Sequence, residues 1–157
     1  MTKPNPLKTI LLAGLVAGVL DITAATIQYY LVTHNNPTRM YQFIASGIFG
    51  KEAFAGGTSM AVVGLLFHFL IAMTFAAFFY LIYPKVYPLF KNKVVMGLVY
   101  GIFAWCVMNL VVVPMSKITP RPFRIVPAAI AMGILMLCIG LPIALIVHRH
   151  YARRGIS

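Results

Sequence analysis

The chain has 157 residues, 61% of them hydrophobic and 10% charged, and its mean hydropathy is +0.91. A soluble domain carries about a quarter of its residues as charges, so this chain has too few polar groups to cover an outside in water, and lipid is the solvent that fits. Thirteen Lys plus Arg against two acids give a net charge of +11, but the basic residues fall in short segments between apolar runs, the membrane pattern, which points to membrane lipid headgroups and away from nucleic acid.

The first apolar run covers residues 7–32. A hydrocarbon core of about 30 Å takes about 20 helical residues, so this run spans. Lys3 and Lys8 followed by an apolar stretch imitate a signal peptide. The pattern continues through Ile27, Tyr29, Tyr30 and Leu31, however, too far for a typical cleaved segment, so the run is expected to stay as a span. A polar stretch, Thr33 to Arg39, comes next, and Asn36-Pro37 starts a helix. Met40, Phe43, Ile44, Gly47 and Ile48 then recur at helical spacing, while Arg39, Gln42 and Ser46 lie off that stripe. Residues 37–50 are too short and too polar to span, and they read as an interfacial helix, with a re-entrant segment as the alternative.

The second span is expected over residues 59–83, closed by a turn at Pro84-Lys85-Val86-Tyr87-Pro88. The third covers residues 94–115, with Pro114 close enough to its end to be tolerated. A polar loop with Pro120 and Pro122 leads to the fourth span, residues 126–147, in which Pro142 predicts a kink. The fold class is therefore an all-α membrane protein: four transmembrane helices in a compact bundle plus a short interfacial helix in the first connection, forming one membrane domain over residues 1–157. Lys3, Lys8, Lys85, Lys91, Lys93, Arg149, Arg153 and Arg154 fall on one side of that arrangement and Arg39, Lys51, Lys117, Arg121 and Arg124 on the other. The larger group marks the cytoplasmic side, so both termini are expected there.

Each span carries a stripe of small or polar residues. On the first it runs Gly14, Gly18, Asp21, Ala25 and Gln28, and on the second Gly57, Ala61, Gly64, His68 and Ala72. Gly97, Gly101, Ala104 and Met108 form the third, with Trp105 and Asn109 beside it; the fourth runs Ala129, Gly133, Met136, Gly140 and Ala144. Small residues let membrane helices approach closely. Gly14, Gly18, Gly64, Gly97, Gly101, Gly133 and Gly140 are accordingly expected at helix contacts, within one chain or in a homo-oligomer.

Asp21 sits near the middle of the first span. A carboxylate at the bilayer centre costs roughly 2.5–3.5 kcal/mol on the lenient insertion scale, so it is expected to turn inward and to be protonated or partnered. His68, on the small stripe of the second span, is the expected partner, and Gln28 and Asn109 extend the polar face toward the first and third connections. Asp21 and His68 would form a protonatable pair, either a proton or substrate site or a hydrogen-bonded clamp fixing helix register. Glu52 beside Lys51 reads as a local interfacial ion pair. His148 and His150 read as headgroup contacts, and Cys106 and Cys138 as small buried side chains. No metal-ligand spacing and no catalytic or nucleotide-binding motif occurs, so no catalytic residue, metal or cofactor is expected.

Gly97-Leu98-x-x-Gly101, Pro114 and Thr119-Pro120-x-x-Phe123, with Gly14-Leu15-x-Ala17-Gly18-Val19 in the first span and Tyr83-Pro84-Lys85 closing the second, resemble the YagU-like family of bacterial inner-membrane proteins. The likeness covers about two thirds of the chain. The family's typical member is longer in the first connection and would have a histidine where Asn109 stands and a small residue where Asp21 stands. The resemblance implies a helical fold in the bacterial inner (cytoplasmic) membrane and transfers no mechanism. The leading functional expectation is a small proton-linked transport or permeation protein acting as a homo-oligomer. The alternative is a non-catalytic accessory subunit of a larger membrane complex, with a membrane enzyme third.

Overall fold

The computed structural model describes residues 5–118 and 124–155. Thr119, Pro120, Arg121, Pro122 and Phe123 of the third connection lie outside the described residues, as does Lys3. All regular structure among the described residues is helical: α1 (Pro6–Thr33), α2 (Thr38–Phe49), α3 (Gly57–Phe90), α4 (Lys93–Met115) and α5 (Ile125–Ala152), with a 3-10 turn at Gly50–Phe54. Four of them, α1, α3, α4 and α5, are long and apolar enough to cross a membrane.

Local chemistry sets the helix ends. The Asn5 side chain accepts from the backbone N–H groups of Leu7 and Lys8, with Pro6 at the first helical position. Asn36 accepts from Thr38 N at 2.9 Å and so starts α2. Asn92 accepts from Val94 N and Val95 N to start α4, directly after Lys91 has turned into the left-handed region at φ 50°.

Two expected boundaries move outward. Instead of turning at residues 84–88, α3 runs through Pro84 and Pro88 to Phe90. A proline inside a helix leaves the carbonyl four residues earlier without its N–H partner; for Pro84 that carbonyl belongs to Tyr80. The Tyr151 hydroxyl donates to it at 3.0 Å. Stacking of Tyr83 on Tyr151 and on Tyr87, with ring centroids 4.6 and 5.3 Å apart, holds the extension in place. The fourth helix correspondingly continues past residue 147 to Ala152, bringing Tyr151 to α3.

Ahead of Pro142, where a kink is expected, the helix contains a π-helical turn, Met136–Gly140, and a second π turn, Met108–Val112, precedes Pro114. In each case the widened turn ends two residues before the proline and contains the carbonyl (Cys138 or Leu110) that its ring would otherwise strike.

Packing follows size more than hydrophobicity. Ala13, Gly14, Ala17, Gly18, Ala45, Ala61, Gly64, Ala72, Ala76, Gly97, Gly101, Ala104, Gly140 and Ala144 are buried. Leu66, Leu70 and Leu81 on α3, like Leu11, Leu15 and Val19 on α1, face outward. That is the pattern of helices whose large apolar side chains meet a hydrocarbon solvent and whose contacts use small residues. A Cβ at Gly101 would fall 2.7 Å from Met136 N and 2.8 Å from Leu135 O, and one at Gly140 would fall 2.6 Å from Gly101 N. Gly97 faces Leu141 and Ala144, Gly14 faces Met73, and Gly18 faces Phe69. Gly133 departs from expectation: a Cβ there would have nothing within 4 Å. The α2 helix also differs. Its buried residues are Gln42, Ala45 and Ser46, not the stripe of Met40, Phe43, Ile44, Gly47 and Ile48. It crosses α3 with the Tyr41 carbonyl against Gly64, and Gln42 Nε2 donates to Gly57 O at 2.9 Å. Small side chains allow that crossing, and the larger ones of α2 are left outside.

Two outcomes follow. Gly101→Ala should lower unfolding stability in detergent by about 1–3 kcal/mol, the range for overpacking, whereas Gly133→Ala should leave it unchanged or slightly raised; equal losses would sink the packing assignment. Tyr151→Phe should cost about 1 kcal/mol by removing one hydrogen bond. In a Pro84→Ala background, where an N–H is available to Tyr80 O, that cost should shrink. Strict additivity in the double-mutant cycle would refute the compensation.

Candidate functional site

Asp21 lies twelve residues before the end of α1, about 18 Å along its axis. His68 lies eleven residues into α3, at a similar depth of about 16 Å from the same end of the bundle. Gly18 and Ala72, both buried where α1 meets α3, bring the two helices close and aim both side chains into the same interior space. His68 Nε2 lies 2.9 Å from the backbone carbonyl of Gly18. A carbonyl only accepts, so Nε2 carries a proton and Nδ1 is left to face Asp21. The Nδ1 to Asp21 Oδ2 distance is 4.0 Å, and the side chains are 13% and 16% exposed. Asp21 Oδ1 is buried without a hydrogen-bond partner among the described residues.

The pair is therefore brought together but left open. At 4.0 Å a nitrogen and an oxygen are beyond hydrogen-bonding distance, and most buried polar oxygens in folded proteins are paired. Phe69 packs edge-on against the imidazole with centroids 5.5 Å apart, which limits its tilt. Cys138, in the π turn of α5, lies within electrostatic reach of Asp21. Nothing in the spacing of the spans places it there.

The other two candidates do not join the pair. Asn109 is exposed, and its Nδ2 donates to Trp105 O at 2.9 Å, one turn back on its own helix. This corrects the expectation that it extends the polar interior. Gln28 is half-buried, two turns beyond Asp21 on α1, and forms no hydrogen bond with either member among the described residues. Lys51 and Glu52 are both exposed in the 3-10 turn, and no ion pair joins them among the described residues.

A second polar cluster sits at the opposite end of α1, and the headgroup role expected for His150 is overturned by it. His150 is 3% exposed. Its Nδ1 lies 2.7 Å from Thr9 Oγ1, and its Nε2 lies 2.8 Å from the Tyr80 hydroxyl. Thr9 Oγ1 itself donates to Asn5 O at 3.1 Å. Each hydroxyl has one proton, so a single direction satisfies every group: Tyr80 O–H to Nε2, Nδ1–H to Thr9 Oγ1, and Thr9 O–H to Asn5 O. Beside it, His148 Nδ1 is 2.6 Å from the Tyr83 hydroxyl. The cluster ties α1, α3 and α5 together with no group left over. Its sequence signal was a tyrosine-rich end of the second span and two histidines at the end of the fourth, and only the extension of both helices lets them meet.

The fold defines an all-helical protein with four helices of membrane-spanning length and apolarity. Compared with known proteins, the chain matches no protein-family model, no curated protein and no solved structure.

The contrast between the two clusters has a measurable consequence. Asp21→Leu removes a buried oxygen that has no partner, so thermal unfolding in detergent should occur at the wild-type temperature or above it. Thr9→Val strands the His150 Nδ1–H and should cost about 1–3 kcal/mol. A large loss of stability in Asp21→Leu would show that the carboxylate closes a structural clamp.

Proposed function

We propose that this protein is a multi-pass protein of a bacterial inner membrane, related to the YagU-like family, that moves protons or a proton-linked solute through a site built on Asp21 and His68. The observation that carries this reading is the open geometry of the pair. A clamp gains its stability from closed hydrogen bonds, whereas here the carboxylate keeps one buried oxygen unpaired and the other 4.0 Å from the imidazole. Ionisable groups inside a membrane are costly and mark ion pathways and proton relays. With Nε2 held by Gly18 O, a single proton can reside on Asp21 or on His68 Nδ1. A water or a polar solute group of similar size bridges a gap of this length.

Size and burial support the membrane setting: small residues inside and leucines outside suit helices solvated by lipid. Lys85, Lys91, Lys93, Arg149, Arg153 and Arg154 lie toward the end opposite α2, and the positive-inside rule supports a cytoplasmic location for that end and both termini. In this orientation α2 lies near the periplasmic interface.

A second reading, a non-catalytic accessory subunit of a larger membrane complex, is favoured by a different observation. The first half of α5 has no buried residue, and Ala129 and Gly133 there face open space. Small residues gain little from lipid and much from a neighbouring helix.

Proteoliposomes separate the two. Wild type under an imposed pH gradient should carry proton flux above that of empty liposomes, and Asp21→Asn, at the same oligomeric state, should return to that background. If wild type carries none, with or without candidate solutes, the transport reading fails and partners captured from native membranes become the object of study.

A further inference from the structure

A cavity of about 460 Å³ lies between the end of α1 and α2, lined by Tyr29, Arg39, Met40, Phe43 and Phe54. It is separate from the Asp21 site: Tyr29 is two turns further along α1. Its lining combines three aromatic rings and a thioether with one guanidinium. Arg39 is exposed and forms no hydrogen bond or ion pair among the described residues. The chain has only two acids to offer it. Asp21 faces His68 inside the bundle, and Glu52 forms no ion pair among the described residues. The negative charge that complements this cavity therefore comes from outside the chain.

We propose that the cavity binds the headgroup region of an anionic phospholipid, with the phosphate on Arg39 and the first part of an acyl chain against Phe43, Phe54 and Met40. Three features select that occupant. A planar guanidinium binds phosphate oxygens two at a time, a geometry lysine does not offer. The apolar wall has no use for a small hydrophilic anion, whereas an amphiphile contacts both parts. The cavity lies where α1 ends in the polar segment Thr33–Thr38, with Tyr29 and Tyr30 nearby, the level at which aromatic side chains meet headgroups. The contact differs from the diffuse attraction of basic loops to anionic membranes, because it depends on one cation and a shaped apolar wall.

The test is native mass spectrometry of the full-length protein released from nanodiscs of equimolar phosphatidylcholine and phosphatidylglycerol. Wild type should retain phosphatidylglycerol in preference to phosphatidylcholine. Arg39→Gln should weaken that retention about tenfold or more, the effect of losing the charge-assisted contact of the guanidinium with the phosphate. Phe54→Ser, which keeps the charge and removes part of the wall, should weaken it as well. Arg124→Gln, an exposed cation outside the cavity, should retain the lipid as wild type does, and millimolar inorganic phosphate should not displace it. Unchanged retention in Arg39→Gln, or equal loss in Arg124→Gln, would overturn the site. Displacement by inorganic phosphate, or indifference to Phe54→Ser, would show a free-anion site in place of a lipid site.

Discussion

Gly97, Gly101 and Gly140 let α4 and α5 meet backbone against backbone, and the position of the rest of α5 follows from that contact. A Cβ at Gly140 would run into the Gly97 carbonyl and the Gly101 N–H, so no larger residue fits without separating the helices. Lipid tails are as apolar as leucine, so burying leucine between helices gains little in a membrane. Close approach gains dispersion contacts along the whole line of crossing. The same economy recurs where α1 packs its Gly14 and Gly18 against Met73 and Phe69 of α3, and where α2 lays the Tyr41 carbonyl on Gly64. Once α5 is fixed by its lower half, Tyr151 and His150 arrive at α3 and α1, and the long extension of α3 beyond Pro84 becomes tenable.

Two polar clusters inside one small bundle show opposite designs. At the end near Asn5, Thr9, His150 and Tyr80 form a chain in which every donor has an acceptor and only one imidazole tautomer fits. A fully satisfied network in low dielectric is rigid and specific. Asp21 and His68 form the other kind, with one nitrogen committed to Gly18 O and the facing atoms held apart. A partly satisfied network lowers stability, so its presence beside so economical a packing scheme asks for a reason beyond stability. The proposed proton site supplies that reason.

Much of this was legible in the sequence. Length and hydropathy alone placed α1 to within a residue at each end, and the spacing of Gly14, Gly18 and Asp21 against Gly64, His68 and Ala72 brought the pair together. One failure has a local cause. A stripe read at 100° per residue holds only while the helix keeps 3.6 residues per turn, and a π turn breaks that phase. Gly133 lies before the π turn of α5 and Gly140 at its end, so the two do not share a face. Asn109 sits at the start of the π turn of α4, where its side chain donates back to Trp105 O. Pro114 and Pro142 were the available signals, but a proline gives no indication of whether the helix will bend, end or widen. The tyrosine and histidine cluster was hidden differently: Pro84 reads as a stop unless some other group reaches the Tyr80 carbonyl, and the hydroxyl that does so is 71 positions away.

The depth of the Asp21 pair constrains any mechanism built on it. Between Thr9 and Asp21, about 18 Å along α1, the interior consists of Ala13, Ala17, Ala76 and Phe79, with the Tyr100 hydroxyl bound to Phe75 O at 2.7 Å and so unavailable as a relay. No titratable side chain bridges the two clusters among these residues. Among these residues, no side-chain route leads from Asp21 toward the Thr9 end of a single chain. In the proposed reading, the face of α5 carrying Ala129 and Gly133, in the stretch with no buried residue, is where a neighbouring chain would supply one. On that reading transport would be a property of an assembly, to which the seventeen-kilodalton chain would contribute the Asp21 and His68 site.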